Sequence, residues 1–371
     1  MSGDGRATGP VVEGDAVTFR FADPDGAAGV RLVPGIALAG ADPDPGDPGN
    51  AGSAAALEFE REPGGWVLRL RWPPVRRLEY RLRVRRVDGR VEDVCDPDNP
   101  LRVTGRFGDV SVVERPGYAE PEWLAAPRVA GRTVELPVHS RYLEAEVPVR
   151  LWSPAGAELT EPLPLLIAHD GPEYDERSGL TRFSAALIEA GRLPRHRVAL
   201  LGAPRRDEWY LANISYARAL ALAVVPALRR AVAVNRAVVG MGAGLGALAM
   251  LHAHRRYPAL IGGLFLQSGS FVNARLDAQE RQSSRFVRIT RFVRDMAAQA
   301  ETVEPIPIAL TCGTVEEDLA NNRQMAAVLA RQGHRVRLVE VADGYNAVAW
   351  RDAFDPVLAD LLRSAWRAYS R

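Results

Sequence analysis

Three glycines at alternate positions, Gly242, Gly244 and Gly246, punctuate the run Ala237-Val238-Val239-Gly240-Met241-Gly242-Ala243-Gly244-Leu245-Gly246-Ala247-Leu248-Ala249-Met250. The run reads as a buried strand, a glycine-rich turn and a small-residue helix. That is the shape of a nucleophile elbow, G-x-S-x-G, in which a sharp turn lifts a serine hydroxyl above a sheet. Here the serine slot holds Gly244, which has no side chain and cannot attack a carbonyl. The same letters fit G-x-G-x-x-A, a dinucleotide fingerprint. Against that, the unit is not the first strand–helix pair of its region, and no acidic residue ends the next strand, Leu264-Phe265-Leu266-Gln267-Ser268. The elbow without its serine is the stronger reading.

Other polar residues cluster after candidate strands. Arg206 and Glu208 follow one strand end, where an arginine could grip an anionic ligand; an ion pair with a neighbour competes with that reading. The amides of Leu245 and Gly171 could form an anion-binding pair, or be ordinary solvated helix N-termini. Pro172 has no N–H and cannot serve. Asp170 and His169 are read as holding the loop after their strand, with Asp170 also a ligand-contact candidate. Ser268, Ser270 and Cys312 are nucleophile types at other strand ends, and Ser268 is a further ligand-contact candidate. His252 and His254 stand two apart on a helix, on different faces, and make no metal pair. Cys95 and Cys312 are far apart, so neither a disulfide framework nor a zinc site is implied. No cofactor and no metal are expected.

The elements that position these residues fall into two grammars. Up to about residue 110, Val17–Phe21, Gly29–Val33, Trp66–Trp72 and Tyr80–Val84 alternate apolar and polar residues, which predicts a small antiparallel sandwich. Residues 39–54, rich in Ala, Gly, Pro and Asp, read as a loop with too little apolar content to pack. A Pro- and Gly-punctuated connector follows over 111–130. From 131 to 371, strand candidates (Val147–Trp152, Leu163–Ala168, Arg197–Leu201, Arg236–Val239, Leu264–Gln267, Ile306–Thr311, Arg335–Val341) alternate with helical patterns at 181–191, 214–231, 246–256, 286–299, 319–332 and 353–368. That alternation predicts an α/β region with a mostly parallel sheet covered by helices on both faces. Ligands in such folds sit beyond the carboxyl ends of the strands.

Composition narrows the function classes. A chain of 371 residues with 47% apolar and 25% charged residues has ample core for two domains. Net charge is +1, so no global field favours nucleic acid or an anionic membrane. All 47 basic residues are arginine, with no lysine. They are scattered along the chain, and nucleic-acid binding is not expected. The polar start carries no apolar signal segment, and no apolar run reaches membrane-spanning length. The expected setting is cytoplasmic, with a small-molecule ligand, no membrane partner, and a homo-oligomer allowed.

Several short motifs in order resemble one family. They are Asp96-Pro97-Asp98-Asn99-Pro100, Phe107-Gly108-Asp109-Val110-Ser111, His169-Asp170-Gly171-Pro172-Glu173-Tyr174-Asp175, Arg206-Asp207-Glu208-Trp209-Tyr210, Leu266-Gln267-Ser268-Gly269-Ser270, and Cys312-Gly313-Thr314-Val315-Glu316-Glu317 followed by Asn321-Asn322-Arg323. Nearly the whole chain resembles the enterochelin-esterase-like putative esterases, α/β-hydrolases preceded by an immunoglobulin-like early-set sandwich. The resemblance implies a triad in the chain order serine, acid, histidine. It places Gly244 in the serine slot and Glu316, with neighbours Glu317 and Asp318, in the acid slot. The last loop, Asp343-Gly344-Tyr345-Asn346-Ala347-Val348-Ala349-Trp350-Arg351, keeps the family's Trp-Arg but carries Tyr345 in the histidine slot. Tyr345 then either donates a hydrogen bond to a ligand or fills the vacated space. The expectation is a degenerate pseudo-esterase that binds a ligand or partner. Two alternatives stand beside it: non-hydrolytic chemistry (elimination, cyclisation or isomerisation) in the same pocket, or weak ester hydrolysis through another nucleophile.

Overall fold

The structure, a computed structural model, describes residues 9–23, 26–36, 42–43, 51–52, 57–105, 108–277, 285–299 and 304–367. The chain divides into two compact units. The first comprises Met1–Ala119 together with two later segments, Gly313–Glu316 and Ala342–Asn346. The second comprises Glu120–Cys312, Glu317–Val341 and Ala347–Arg371.

The first unit holds two antiparallel sheets. One has the order Val11–Glu13, Ala16–Phe21, Gly65–Arg71, Glu60–Glu62. The other runs Arg102–Gly105, Gly108–Glu114, Arg77–Arg86, Ala27–Pro34, with Val91–Val94 also paired to Arg77–Arg86. The period-two pattern works as expected. Val17, Phe19 and Phe21 from one sheet and Leu78, Tyr80, Leu82 and Val84 from the other are buried in a common core. The intervening residues of Arg77–Arg86 are less buried.

The Asp96-to-Pro100 motif has a structural task here. Asp96 and Asn99 are buried. The Tyr80 hydroxyl donates to Asp96 Oδ2 at 2.6 Å, and Asn99 Nδ2 donates to the Tyr80 oxygen and to the Val112 carbonyl. Burial pushes both the Asp96 carboxyl and the Tyr80 phenol above their ordinary values.

Two stretches differ from the expected boundaries. The strand Gly108–Glu114 runs into the segment read as connector, and the division between units falls after Ala119. Its Val113 joins the sandwich core, a continuation that the Pro and Gly that follow at 116–117 obscured. Within 39–54, Asp42–Pro43 pairs antiparallel with Ala51–Gly52; the rest of that stretch, and Phe107 of the connector motif, lie outside the described residues.

The second unit is built on an eight-stranded sheet. Its order is Arg132–Glu135, Val149–Ser153, Arg197–Leu201, Leu163–His169, Val234–Ala243, Gly263–Gln267, Pro307–Gly313, Arg335–Val341. The first two junctions are antiparallel, and the four from Arg197–Leu201 to Pro307–Gly313 are parallel. The central strands are buried along their whole length, Leu163–His169 and Arg197–Leu201 among them. A strand covered on both faces reads as such a continuous apolar run.

Sequence order reverses around Leu163–His169. The chain moves from it to Arg197–Leu201 on one side, then crosses to Val234–Ala243 on the other. Crevices for ligands form outside the carboxyl ends of strands at such a switch point. This strand ends at His169, and its two neighbours end at Leu201 and Ala243.

The helix Leu245–Arg256 follows Ala243 after a single residue. Ala, Leu and Met favour a helix intrinsically, and Leu245 through His254 are all buried. A helix apolar all round belongs in the middle of a protein. Pro258 prevents its extension. No helix among the described residues is long and apolar enough to cross a membrane.

Candidate functional site

The switch point brings two helix N-termini together. Gly244 joins the strand to Leu245–Arg256 with φ 54° and ψ −121°, a sharp reversal in the region that L side chains rarely adopt. Its N–H donates to the Gln267 carbonyl at 3.0 Å, and its own carbonyl accepts from the N–H groups of Leu248 and Ser270, both at 3.2 Å. Gly242 is fixed by close approach: a Cβ there would lie 2.5 Å from the Gly246 carbonyl carbon and 2.9 Å from the Ala247 nitrogen. The glycine spacing seen in the sequence is therefore the spacing of a tight strand–turn–helix. At its apex sits Gly244.

The neighbouring N-terminus belongs to the helix Gly171–Ser178, which the sequence reading treated as loop. Asp170 precedes it in the left-handed region, φ 49°; aspartate tolerates that conformation better than most residues. A side chain on Gly171 would overlap Leu200, so glycine lets the helix start against the adjacent strand. The two N-termini are tied through His169, whose Nδ1 lies 2.9 Å from the Gly246 carbonyl. A Cβ on Gly246 would stand 3.3 Å from Asp170 Oδ2. Leu245 and Gly171 thus open two helices whose N-termini are neighbours, and two positive dipole ends side by side favour an anion.

Charge at the rim is already balanced. Arg206, from the short helix Arg206–Trp209, bonds both oxygens of Asp170 through Nε at 3.0 and 2.9 Å, with Nη2 2.8 Å from Oδ2. Its guanidinium also lies over the Tyr210 ring, 5.5 Å from the centroid. The Asp170 N–H donates to the Tyr210 oxygen at 3.2 Å. Behind this pair His169 is fully buried, stacked on Tyr210 at 4.7 Å and edge-on to Tyr216 at 5.3 Å. Burial pushes its pKa down to about 4, and its Nε2 has no hydrogen-bond partner. His169 is thus packed among aromatic rings.

The remaining candidates separate. Glu208 does not join Arg206; it faces Arg205 at 3.5 Å in an exposed pair. Spacing alone could not say which of two adjacent arginines it would choose. Ser268 is buried, and its hydroxyl accepts from Trp350 Nε1 at 3.0 Å, which takes it out of ligand contact. Cys312 is buried too. Ser270 is half-buried, and its hydroxyl bonds no described residue.

Glu316 and Tyr345 lie on the two late segments of the first unit. The Gly313 N–H donates to Glu316 Oε1 at 2.7 Å. Asp343 is buried and accepts from the Gly344 N–H and from Asn346 Nδ2 at 2.7 and 2.8 Å. Tyr345 is 46% exposed. The two segments touch: a Cβ on Gly344 would meet Val315, and one on Gly313 would overlap the Asp343 carbonyl. Acid-slot and base-slot loops are therefore neighbours.

Sequence reasoning missed a buried polar network beside the turn. Gln267 is fully buried; its Oε1 accepts from the Tyr174 hydroxyl at 3.0 Å, and its Nε2 donates to Thr311 Oγ1 and to the Trp350 carbonyl. A glutamine ending an otherwise apolar strand was the available signal.

No protein-family model matches the chain. It is 26% identical over 239 residues to the iron(III) enterobactin esterase of Dickeya dadantii (strain 3937), a match covering 61% of this chain and 54% of that protein, about half its length. The chain is homologous to enterobactin esterases. Two solved structures share its fold over nearly the whole length. Ferric enterobactin esterase from Salmonella typhimurium superposes with a TM-score of 0.74 at 20% identity, covering 97% of each chain. Enterochelin esterase from Shigella flexneri gives 0.73 at 18%, covering 97% and 96%. The Shigella flexneri enzyme has also been solved in the presence of enterobactin.

Proposed function

We propose that this enterochelin-esterase-like chain is a pseudo-esterase: it has lost the Ser–His catalytic pair and binds a small organic ligand in the retained crevice. The observation that carries the reading is Gly244, at φ 54° and ψ −121°, on the apex where an elbow presents its nucleophile. A serine hydrolase needs a nucleophile, a base to take its proton, an acid to orient the base, and donors for the oxyanion. The chain offers glycine, Tyr345, Glu316 and the helix-terminal amides of Leu245 and Gly171 in those roles. Tyrosine, with an ordinary pKa near 10, has no serine proton to take. Without two of three triad members, donors and binding alone leave about 10³–10⁴-fold acceleration over water.

The proposed ligand carries a carbonyl or carboxylate. Leu245 and Gly171 would face its oxygen, and Arg206 and Asp170 would flank it. The proposed ligand class is the ester or acid family that the homologous esterases handle. The cytoplasm is the proposed setting, and neither nucleic acid nor membrane is a proposed partner.

Ser270 supports a second reading, weak hydrolysis through a displaced nucleophile, because its N–H bonds the Gly244 carbonyl and its hydroxyl bonds no described residue. Labelling separates the two. The protein is treated with a fluorophosphonate, which reports activated serines, and its intact mass is measured. No adduct is expected on the natural chain, and one adduct is expected on Gly244→Ser, Tyr345→His. An adduct on the natural chain, mapped to Ser270, overturns the pseudo-esterase in favour of the second reading.

A further inference from the structure

A second cavity, of about 480 Å³, opens in the second unit between the later half of the helix Leu245–Arg256, the helix Phe286–Ala297 and the loop at Leu211–Ile214. Its volume is within the range of small-molecule sites. It is distinct from the crevice: His252 to Arg256 lie seven to eleven residues along the helix from Leu245, roughly 10–16 Å at the helical rise.

Its wall is strongly cationic. Arg255, Arg256, Arg288 and Arg291 line it, against a single carboxylate, Asp295. Asp295 already sits 3.4 Å from Arg294, which is not part of the wall. None of the four lining arginines has an ion pair or a side-chain hydrogen bond among the described residues. Arg255 and Arg256 occupy the last turn of their helix, where the dipole favours cations. That accounts for two of the four. Arg288 and Arg291 stand three apart in the first two turns of the other helix, hence on one face, far from the C-terminal end that would call for cations.

Two polar groups inside the cavity lack hydrogen-bond partners among the described residues. His252 is 5% exposed, lines the wall, sits edge-on to Phe292 at 5.3 Å and bonds no described side chain or backbone group. Gln299 lines the same wall, and its Oε1 is buried without a hydrogen bond. Buried polar atoms normally find a partner, and those that do not call for an explanation. The apolar floor comes from Leu211, Phe292 and Met296.

We propose that this cavity binds a phosphorylated organic anion, its phosphates held by Arg255, Arg256, Arg288 and Arg291, its hydroxyl or amino donors met by Gln299 and His252, and its body laid on the apolar floor. Four guanidiniums facing one neutralised carboxylate favour a multiply charged group, and guanidinium forks match phosphate oxygens in pairs. A cavity of this size admits a mononucleotide-sized molecule. It does not admit a nucleic-acid duplex.

Calorimetric titration of the full chain with ADP, inorganic pyrophosphate and adenosine tests this. Saturable binding is expected for ADP and, more weakly, for pyrophosphate, with adenosine silent. Arg256→Gln, Arg291→Gln should weaken ADP at least tenfold, and Arg294→Gln should leave it unchanged. Both target side chains are exposed, so folding should survive, and circular dichroism verifies it. Absence of ADP binding at about 1 mM, the weak end of specific affinity, overturns the proposal. So does ADP binding that the double variant leaves intact. Pyrophosphate binding without ADP binding overturns the organic body of the ligand.

Discussion

Gly242, Gly244 and Gly246 look alike in sequence and do different work. Gly242 is demanded by contact, because any Cβ meets the backbone of Gly246 and Ala247. Gly244 is favoured by conformation, at φ 54° and ψ −121°, where other residues pay about 1–3 kcal/mol. Gly246 gives the helix its close seat on His169 and Asp170. Gly244→Ala should therefore cost about 1–2 kcal/mol in chemical denaturation. Gly242→Ala should cost more, about 3 kcal/mol, since backbone must move. Equal effects would show that the turn is looser than its torsions state. The glycine pattern was legible because turn geometry is written in residue type. Whether Glu208 takes Arg205 or Arg206 was not, because that choice depends on how the short helix Arg206–Trp209 is aimed.

Elements were readable where their pattern was long. Arg197–Leu201 and Arg335–Val341 coincide with the strands read from sequence, and the pattern at 214–231 spans the continuous helical stretch Ile214–Ala231, which has a π turn at Leu220–Val224. Short helices that start at strand ends, Gly171–Ser178 and Arg206–Trp209, carried too few turns to show a period. Yet they supply Asp170, Gly171 and Arg206 to the crevice. Buried charge inside a strand was equally invisible. Arg197 is fully buried and donates to the carbonyls of Glu158, Glu161 and Ala233 at 2.6–2.9 Å. It ties the start of its strand to the loops that enter the neighbouring strands, and desolvation lowers its pKa. Arg197→Met would leave three carbonyls without their donor. A loss of about 2–4 kcal/mol is expected in denaturant titration; an unchanged midpoint would mean that the loops hold themselves.

At the scale of the whole molecule, the two grammars of the sequence correspond to the two kinds of sheet, and their change was visible as a switch in apolar period. What composition could not show is that Gly313–Glu316 and Ala342–Asn346, which follow strands of the second unit, cluster with the first. Long-range packing of this sort has no local signature. If Gly244 and Tyr345 occupy the serine and base slots, as proposed, restoring both residues should restore chemistry. The most direct measurement is p-nitrophenyl ester hydrolysis by the natural chain beside Gly244→Ser, Tyr345→His. The account predicts no turnover above background for the natural chain and measurable turnover for the double variant. Substantial turnover by the natural chain would contradict it.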